Sequence, residues 1–228
     1  MVSVAAIGDN VRMMDVRRLP FFLLLPGLLL IGFGIGYLAS DGDDAPPRAP
    51  AMPVPGANLV LLETPRPVSG FRLKRHDGQP FTPAGFQGHW NVLFFGYTHC
   101  PDVCPLALQT LRLAWQQLAV DTADPHRPRA WFVSVDPDRD SLALLEQYVT
   151  YFHADFTGVT GPADEIDKLT RQLGIVYGFE DRDGDDYTVN HSAQMVFIDP
   201  QGRMAAVLSP PYDADAVIRS LRYLQTLP

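Results

Sequence analysis

The sequence predicts an α/β domain, in which a central sheet is flanked by helices, with one transmembrane helix before it. The first observation is that short apolar runs alternate with amphipathic segments from residue 58 onward, which is typical of strands covered by helices. The second is the stretch 20–39, which is apolar, uncharged and long enough to cross a bilayer core. The third is a cysteine pair, Cys100 and Cys104, that falls between a predicted buried strand and a predicted helix.

Length and charge narrow the class of protein. The 228 residues suffice for one domain with a sizeable core plus additional segments, and an apolar fraction of 46% is ordinary for a globular protein. The net charge of −8 makes nucleic acid an unfavourable partner, so none is expected. Two cysteines are too few for a disulfide framework, and their number does not fix the redox compartment.

The N-terminal quarter divides into three predicted segments: a cytoplasmic N-terminus at 1–19, a transmembrane anchor at 20–39 and a Pro-rich tether at 40–57. Arg17 and Arg18 abut the start of the anchor, and three aspartates follow its end. The positive-inside rule therefore places the N-terminus in the cytoplasm and the rest of the chain outside. A cleaved signal peptide is the alternative. The apolar stretch is longer than the usual signal sequence, and the residues after it make a poor cleavage site.

The elements of the folded domain, 58–228, follow from apolar periodicity and turn signals. The first are a strand at 59–62 and an N-terminal β-hairpin, 71–75 with 79–82, joined by a type I′ turn at Asp77 and Gly78. Then come a strand at 90–95, a helix from Pro105, a strand at 129–135, a helix capped by Ser141, a strand at 156–160 and a helix opened by 161–162. Last are extended runs at 175–179 and 187–189, a hairpin of 194–198 with 203–208, and a helix at 213–227. This order, with a thiol pair after a buried strand, matches a thioredoxin-like fold.

The cysteine pair is the principal candidate for chemistry. Cys100 and Cys104 are four residues apart, so on a helix their sulfurs lie on one face, and a helix N-terminus favours thiolate. A redox pair and a soft-metal pair both require two thiolates close together. Thioredoxin-type motifs have one residue fewer between the cysteines, whereas this spacing also suits a metal. Two buried core thiols are the third alternative.

A metal bound by two thiolates needs a third ligand, and the chain offers six histidines: His76, His89, His99, His126, His153 and His191. His99 adjoins Cys100, but adjacent residues seldom point at one ion. His76 and His126 lie in turns and are expected to be solvated. His89 and His153 lie at the ends of predicted elements, and the sequence pattern identifies no second ligand beside either of them. His191 follows an acidic loop and precedes a buried strand, so spacing alone leaves it one alternative among several.

Two acidic segments admit simpler interpretations. The loop 180–186 suggests calcium, but Gly184 and Ser192 fall at the wrong positions for an EF-hand, and a solvated loop is expected. The segment 136–140, with three aspartates, is interpreted as a capped turn.

Four segments together resemble the SCO/SenC family of copper-binding, thioredoxin-like assembly factors: 96–105 (GYTHCPDVCP), 134–140 (SVDPDRD), 187–192 (YTVNHS) and 197–202 (FIDPQG). The likeness covers about residues 60–226. One departure is Leu142, where the family often has proline; it lies at a predicted helix start, away from the site.

The resemblance implies that copper is bound by Cys100, Cys104 and His191. It implies a copper chaperone that receives copper from an upstream donor and delivers it to the CuA subunit of cytochrome c oxidase. Thiolates select Cu(I) and imidazole also accommodates Cu(II), so both states fit the donor set. The alternative is a thiol-disulfide oxidoreductase acting on the oxidase cysteines, or a redox or copper sensor, so enzymatic activity stays open. The N-terminus is a poor mitochondrial transit peptide. We therefore expect a bacterial inner membrane protein with a periplasmic domain, the alternative being the mitochondrial inner membrane facing the intermembrane space.

Overall fold

The computed structural model describes residues 51–53, 58–118, 127–180, 184 and 186–227. The predicted cytoplasmic segment and the predicted anchor lie outside these residues, as does most of the predicted tether. In the described part of the chain, none of the helices combines the length and the apolar character needed to cross a membrane.

The described residues form eleven strands and four α-helices. Strands β1 to β7 are Ala51–Pro53, Leu59–Pro67, Leu73–Arg75, Pro80–Phe81, Asn91–Gly96, Arg129–Ser134 and Thr157–Thr160. Strands β8 to β11 are Tyr177–Glu180, Thr188–His191, Met195–Ile198 and Arg203–Leu208. The helices α1 to α4 are Val103–Leu118, Leu142–Phe152, Ala163–Leu173 and Ala214–Gln225, and a short 3₁₀ helix occupies Pro83–Phe86. The predicted α/β class is confirmed.

Nine strands make one mixed sheet in the order β1-β2-β11-β10-β5-β6-β7-β3-β4, and β8 pairs with β9 separately. Strands β5, β6 and β7 run parallel, and the other pairs are antiparallel. All six residues of β5 and all four of β10 are buried, as expected for strands covered on both faces. Gly96 pairs with Ser134 at the carboxyl ends of β5 and β6. The loops after these two strands therefore leave the same edge of the sheet, and they carry the candidate site.

Local signals position the helices much as the sequence predicts. The Ser141 hydroxyl accepts the N–H of Leu144 at the start of α2, which confirms the predicted cap. Helix α1 begins two residues before Pro105, so this proline lies in the first turn, where the missing N–H costs nothing. Because α1 begins early, Cys104 is already inside its first turn.

The N-terminal hairpin is confirmed, but its predicted type I′ turn is wrong. Arg75 donates its N–H to the carbonyl of Gln79 and accepts the N–H of Gly78, which closes a three-residue loop. Gly78 has a φ of +80°, the left-handed conformation that completes such a loop. Asp77 and Gly78, the pair that suggested a two-residue turn, are therefore the last two residues of a three-residue loop. The hairpin extends the main sheet because β3 also pairs with β7.

The sheet also begins earlier than predicted. Strand β1 lies in the segment that the sequence assigns to the tether, and it pairs antiparallel with β2, Ala51 opposite Leu62. Strand β2 continues to Pro67, five residues beyond the predicted strand end, and after a shift in register its last two residues pair with the start of β11.

Candidate metal centre

The cysteine loop is shaped by the strand before it and the helix after it. Cys100 donates its N–H to the carbonyl of Tyr97, and the Cys100 sulfur accepts the N–H of Cys104 at 3.4 Å. Cys104 is fully buried and the Cys100 residue is 9% exposed. Both thiols are free. Cys104 is therefore held in the core, whereas Cys100 lies at its edge.

Gly96, the last residue of β5, makes room for the buried sulfur. A Cβ at this position would lie 2.5 Å from the Cys104 Sγ and 3.0 Å from the ring of Phe132. The approach to the sulfur is closer than real side-chain contacts allow, and the approach to the ring is tighter than most of them. The glycine therefore permits the close packing of Cys104 against the end of β5.

His191, the last residue of β9, reaches the same place from 87 positions downstream. Its Nε2 lies 3.2 Å from the Cys104 Sγ. The rings of Phe94 and Tyr97 meet the imidazole edge-on, each at 6.0 Å between centroids. The ligand atoms of Cys100, Cys104 and His191 all lie within 4.8 Å of one another. Three soft or borderline donors at this separation can converge on one metal ion.

The hydrogen bond made by the second ring nitrogen of His191 determines the tautomer of the imidazole. Nδ1 lies 3.1 Å from the carbonyl oxygen of Ser192, and a carbonyl can only accept. Nδ1 therefore carries the proton in the neutral ring, and Nε2 presents its lone pair to Cys104. Metal-bound histidines are commonly held in this way, by a backbone carbonyl at the far nitrogen.

The two thiols differ in acidity. The hydrogen bond from the Cys104 thiol, helped by backbone N–H groups, lowers the pKa of Cys100 to about 4, against the opposing effect of its burial. The hydrogen bond to Cys100 and burial raise the pKa of Cys104 above its ordinary value. The first proton therefore leaves Cys100, and the resulting thiolate is the more accessible sulfur.

Asp140, in the loop after β6, holds the cysteine loop in place. Its carboxylate accepts the backbone N–H of Thr98 at 3.0 Å, the Thr98 hydroxyl at 2.6 Å and the Ser134 hydroxyl at 2.6 Å. The residue is 1% exposed. A buried carboxylate with three donors ties the two loops at this edge of the sheet together.

Asp136, Arg139 and Tyr187 connect that edge to the strand of His191. The Tyr187 hydroxyl and the Arg139 Nε each donate to the Asp136 carboxylate at 2.6 Å. Arg139 also donates to the Tyr187 carbonyl at 2.9 Å, and its guanidinium lies 3.5 Å from the Tyr187 ring centroid. We call these three residues the clamp. It fixes the chain four residues before His191, so it helps to set where the imidazole lies.

Residues 136–140 form a turn, as expected, in which Asp140 donates its N–H to the Asp136 carbonyl at 3.0 Å, but the turn does more than cap a helix. Asp136 and Asp140 are fully buried, and both bind groups distant in sequence. An Asp-Pro-Asp-Arg-Asp segment has the composition of a solvated turn, and no local signal identifies its distant partners. Only the resemblance marked this segment as part of the site.

Comparison with known proteins identifies the family. The SCO1/SenC family model matches residues 62–226, which include all three clustered residues and the clamp.

The chain belongs to the SCO1/SenC family.

Relatives of this SCO1/SenC chain include bacterial and mitochondrial proteins. A putative copper-binding protein of Stutzerimonas stutzeri is 32% identical over 165 residues, covering 72% of this chain and 80% of that protein. The mitochondrial SCO2 homolog of Bos taurus is 36% identical over 155 residues, covering 67% of this chain and 57% of that protein. The chain thus spans less than two thirds of the length of this mitochondrial relative.

The solved structures support the same fold. The crystal structure of Arabidopsis thaliana ScoI with copper bound has a TM-score of 0.63 and 31% identity, over 70% of this chain and 99% of that one. The predicted thioredoxin-like fold of the SCO1/SenC domain is therefore confirmed.

Four other histidines of this SCO1/SenC chain are described, and none belongs to the cluster. His99 Nδ1 contacts the Thr98 hydroxyl at 3.1 Å, and the side chain is half exposed. His76, in the hairpin turn, is partly buried, and its Nδ1 accepts the N–H of Gly158 at 3.0 Å. His153 accepts the N–H of Asp155, and His89 contacts two arginines at the opposite end of the sheet. His126 and most of the acidic loop lie outside the described residues.

Proposed function

We propose that this chain is a membrane-anchored copper chaperone in which Cys100, Cys104 and His191 bind the copper ion. The observation that carries the proposal is the 3.2 Å approach of His191 Nε2 to the Cys104 sulfur. Nothing in the spacing of the sequence requires that approach. The carbonyl of Ser192 supports it further, since it leaves Nε2 free to bind.

The donor set suits transport of copper. Two thiolates favour Cu(I), and an imidazole also accommodates Cu(II). Three protein ligands leave room for an incoming ligand, so copper can pass to an acceptor by exchange of one ligand at a time. The copper-bound Arabidopsis relative supports copper as the cargo over zinc.

We place this activity in the assembly of cytochrome c oxidase, with its CuA subunit as acceptor and an upstream protein as copper donor. The relatives named for SCO proteins support the family role. In this proposal residues 20–39 anchor the chain in the bacterial inner membrane, the residues between the anchor and β1 form the tether, and the domain from β1 onward lies in the periplasm. The mitochondrial inner membrane is the alternative.

Copper titration of the reduced full chain tests the ligand set. We expect wild type to bind one copper ion, and His191→Ala to weaken Cu(II) binding and change the thiolate charge-transfer spectrum. His99→Ala is the matched control, because this histidine adjoins Cys100 but lies outside the cluster. An unchanged affinity and spectrum in His191→Ala would refute the proposal.

A second function, thiol-disulfide reduction, is favoured by the lowered pKa of Cys100. In this reaction the Cys100 thiolate attacks one sulfur of a disulfide in the oxidase subunit, forms a mixed disulfide and releases the first subunit thiolate. Cys104 then loses its proton and attacks the Cys100 sulfur, which releases the second thiolate. Two electrons leave the Cys100–Cys104 pair, which becomes a disulfide, and the subunit disulfide becomes two thiols, one taking the proton that Cys104 loses and the other a proton from water.

The two functions are separable because only the first requires the imidazole as a ligand. We expect Cys104→Ser to trap the mixed disulfide of Cys100 with the subunit, and His191→Ala to retain reduction while losing Cu(II). Failure to trap any mixed disulfide under oxidising conditions would count against the reductase and leave the copper function intact.

A further inference from the structure

The second feature of the molecule lies at the opposite end of the sheet from the cysteines. A cavity of about 360 Å³ is lined by Arg75, His89, Arg127, Arg129 and Asp155, together with Pro128, Trp131 and Thr157. Arg129 begins β6 and pairs with Asn91, which begins β5. Cys100 and Cys104 follow the other end of β5. Five residue steps along a strand put roughly 16 Å between the two ends.

Three arginines line this cavity in a chain whose net charge is −8. Arg127 forms an ion pair with Asp155, and Arg75 forms one with Asp77, which is outside the lining. Among the described residues, the Arg129 guanidinium donates to the Gly85 carbonyl and to the ring of His89. The positive charge of the lining therefore exceeds its negative charge.

The His89 ring meets Arg129 as a neutral group. A guanidinium only donates, so the Nε2 of His89, at 2.7 Å from an Arg129 nitrogen, must accept. The Nδ1 then carries the ring proton and donates to the Arg127 carbonyl at 3.1 Å. Neither nitrogen of His89 compensates the charge of Arg129.

Two further observations indicate that the arginines are incompletely satisfied. The Nε of Arg75 is buried and has no hydrogen-bond partner in the described part of the chain. Burial, and then repulsion by the charge of Arg75, lower the pKa of Arg129. Like charges held side by side are relieved by an anion between them.

We propose that this cavity is a binding site for a phosphate-type oxyanion, held by the guanidinium groups of Arg75 and Arg129 with Arg127 beside them. The planar guanidinium fork matches the oxygens of phosphate. The volume of the cavity exceeds that of the ion, so a phosphate carried on a larger molecule also fits. The Asp155 carboxylate opposes an anion and engages Arg127, so it limits the affinity of the site.

The test uses the reduced full chain, with inorganic phosphate as the probe and chloride to hold the ionic strength constant. Binding is measured by calorimetry and by the rise in Tm with phosphate concentration. We expect Arg129→Gln to weaken phosphate at least about tenfold, because it removes charge-assisted hydrogen bonds. The matched control is Arg222→Gln, which removes one charge from an exposed position on α4.

A variant that binds phosphate more tightly distinguishes a specific site from non-specific attraction by positive charge. Asp155→Asn removes the opposing carboxylate and releases Arg127, so we expect tighter phosphate binding. Arg75→Gln supplies a second loss variant if Arg129→Gln does not fold. Copper binding should be unchanged in all of them, which keeps this proposal independent of the proposed function.

A competition experiment distinguishes a lipid headgroup from free phosphate as the ligand. Displacement of phosphate by soluble dihexanoylphosphatidylglycerol supports a lipid headgroup, and phosphate binding without such displacement supports the free ion. The proposal is overturned if phosphate raises neither Tm nor heat signal above chloride. It is also overturned if Arg129→Gln, Arg75→Gln and Arg222→Gln all bind phosphate as wild type does.

Discussion

Gly96→Ala is the substitution that tests the packing of the site most sharply. The added Cβ would lie 2.5 Å from the Cys104 sulfur, whereas non-bonded carbon atoms already keep about 3.5–4.0 Å apart. The overlap is therefore roughly 1 Å. Cys104 lies in the first turn of α1 and donates its N–H to Cys100, so its backbone is held, and the sulfur can move away only by leaving its χ1 rotamer or by shifting the helix.

Overpacking of this kind costs about 1–3 kcal/mol of unfolding free energy. For a chain of this size each kcal/mol lowers Tm by roughly 2–4 °C. A sulfur displaced by a large part of 1 Å also exceeds the tolerance of about 0.2 Å for a metal ligand. We therefore expect Gly96→Ala to lower copper affinity at least about tenfold.

Urea unfolding of the reduced apo protein and copper titration measure the two effects. Gly178→Ala is the matched control, because a Cβ there would meet no atom within 4 Å. In a Cys104→Ala background the new methyl enters the space of the missing sulfur. Gly96→Ala should then cost at least about 1 kcal/mol less than it does in wild type. Wild-type stability and copper affinity in Gly96→Ala, or the same cost in both backgrounds, would refute the close packing.

Two further predictions concern the clamp and the acidity of the thiols. Tyr187→Phe removes the hydrogen bond from the tyrosine hydroxyl to Asp136. Because Cu(II) binding depends on His191, we expect the Cu(II) affinity to fall about 10–100-fold and the Cu(I) affinity to fall less. Equal losses of affinity for the two ions in metal titrations would contradict this reasoning. Cys104→Ala removes the largest cause of the lowered pKa of Cys100, so the midpoint of its thiolate absorbance should rise from about 4 toward the ordinary value. Since a lowered pKa leaves wild-type Cys100 ionised at pH 6, iodoacetamide should alkylate it there faster than in Cys104→Ala, and equal rates would argue against the hydrogen bond between the thiols.

The order of the elements was predictable from local pattern, because buried strands and amphipathic helices leave periodic apolar signals. The cap at Ser141 and the proline in the first turn of α1 carry their own short-range chemistry, and both were predicted correctly. The type of the Gly78 turn was not predictable from the Asp-Gly pair alone. It depends on which residue closes the hairpin, and that register is set by the pairing of β3 with β4 and β7.

The site divides in the same way between local and distant information. The cysteine pair is visible in the sequence because its two members are four residues apart. The choice of His191 among six histidines required the family resemblance, since 87 residues of chain separate it from Cys104. The roles of Asp136 and Asp140 were missed because a polar turn looks the same whether its carboxylates face water or buried donors.

The central claim is that one imidazole and two thiolates bind the same copper ion. X-ray absorption spectroscopy of the copper-loaded full chain measures these ligands directly. We predict two sulfur neighbours at about 2.3 Å and one nitrogen at about 2.0 Å for Cu(II), distances like those of thiolate and imidazole on zinc. The nitrogen of imidazole should be lost in His191→Ala and retained in His99→Ala. An imidazole signal that persists in His191→Ala, or a copper ion with fewer than two sulfur neighbours in wild type, would contradict the account.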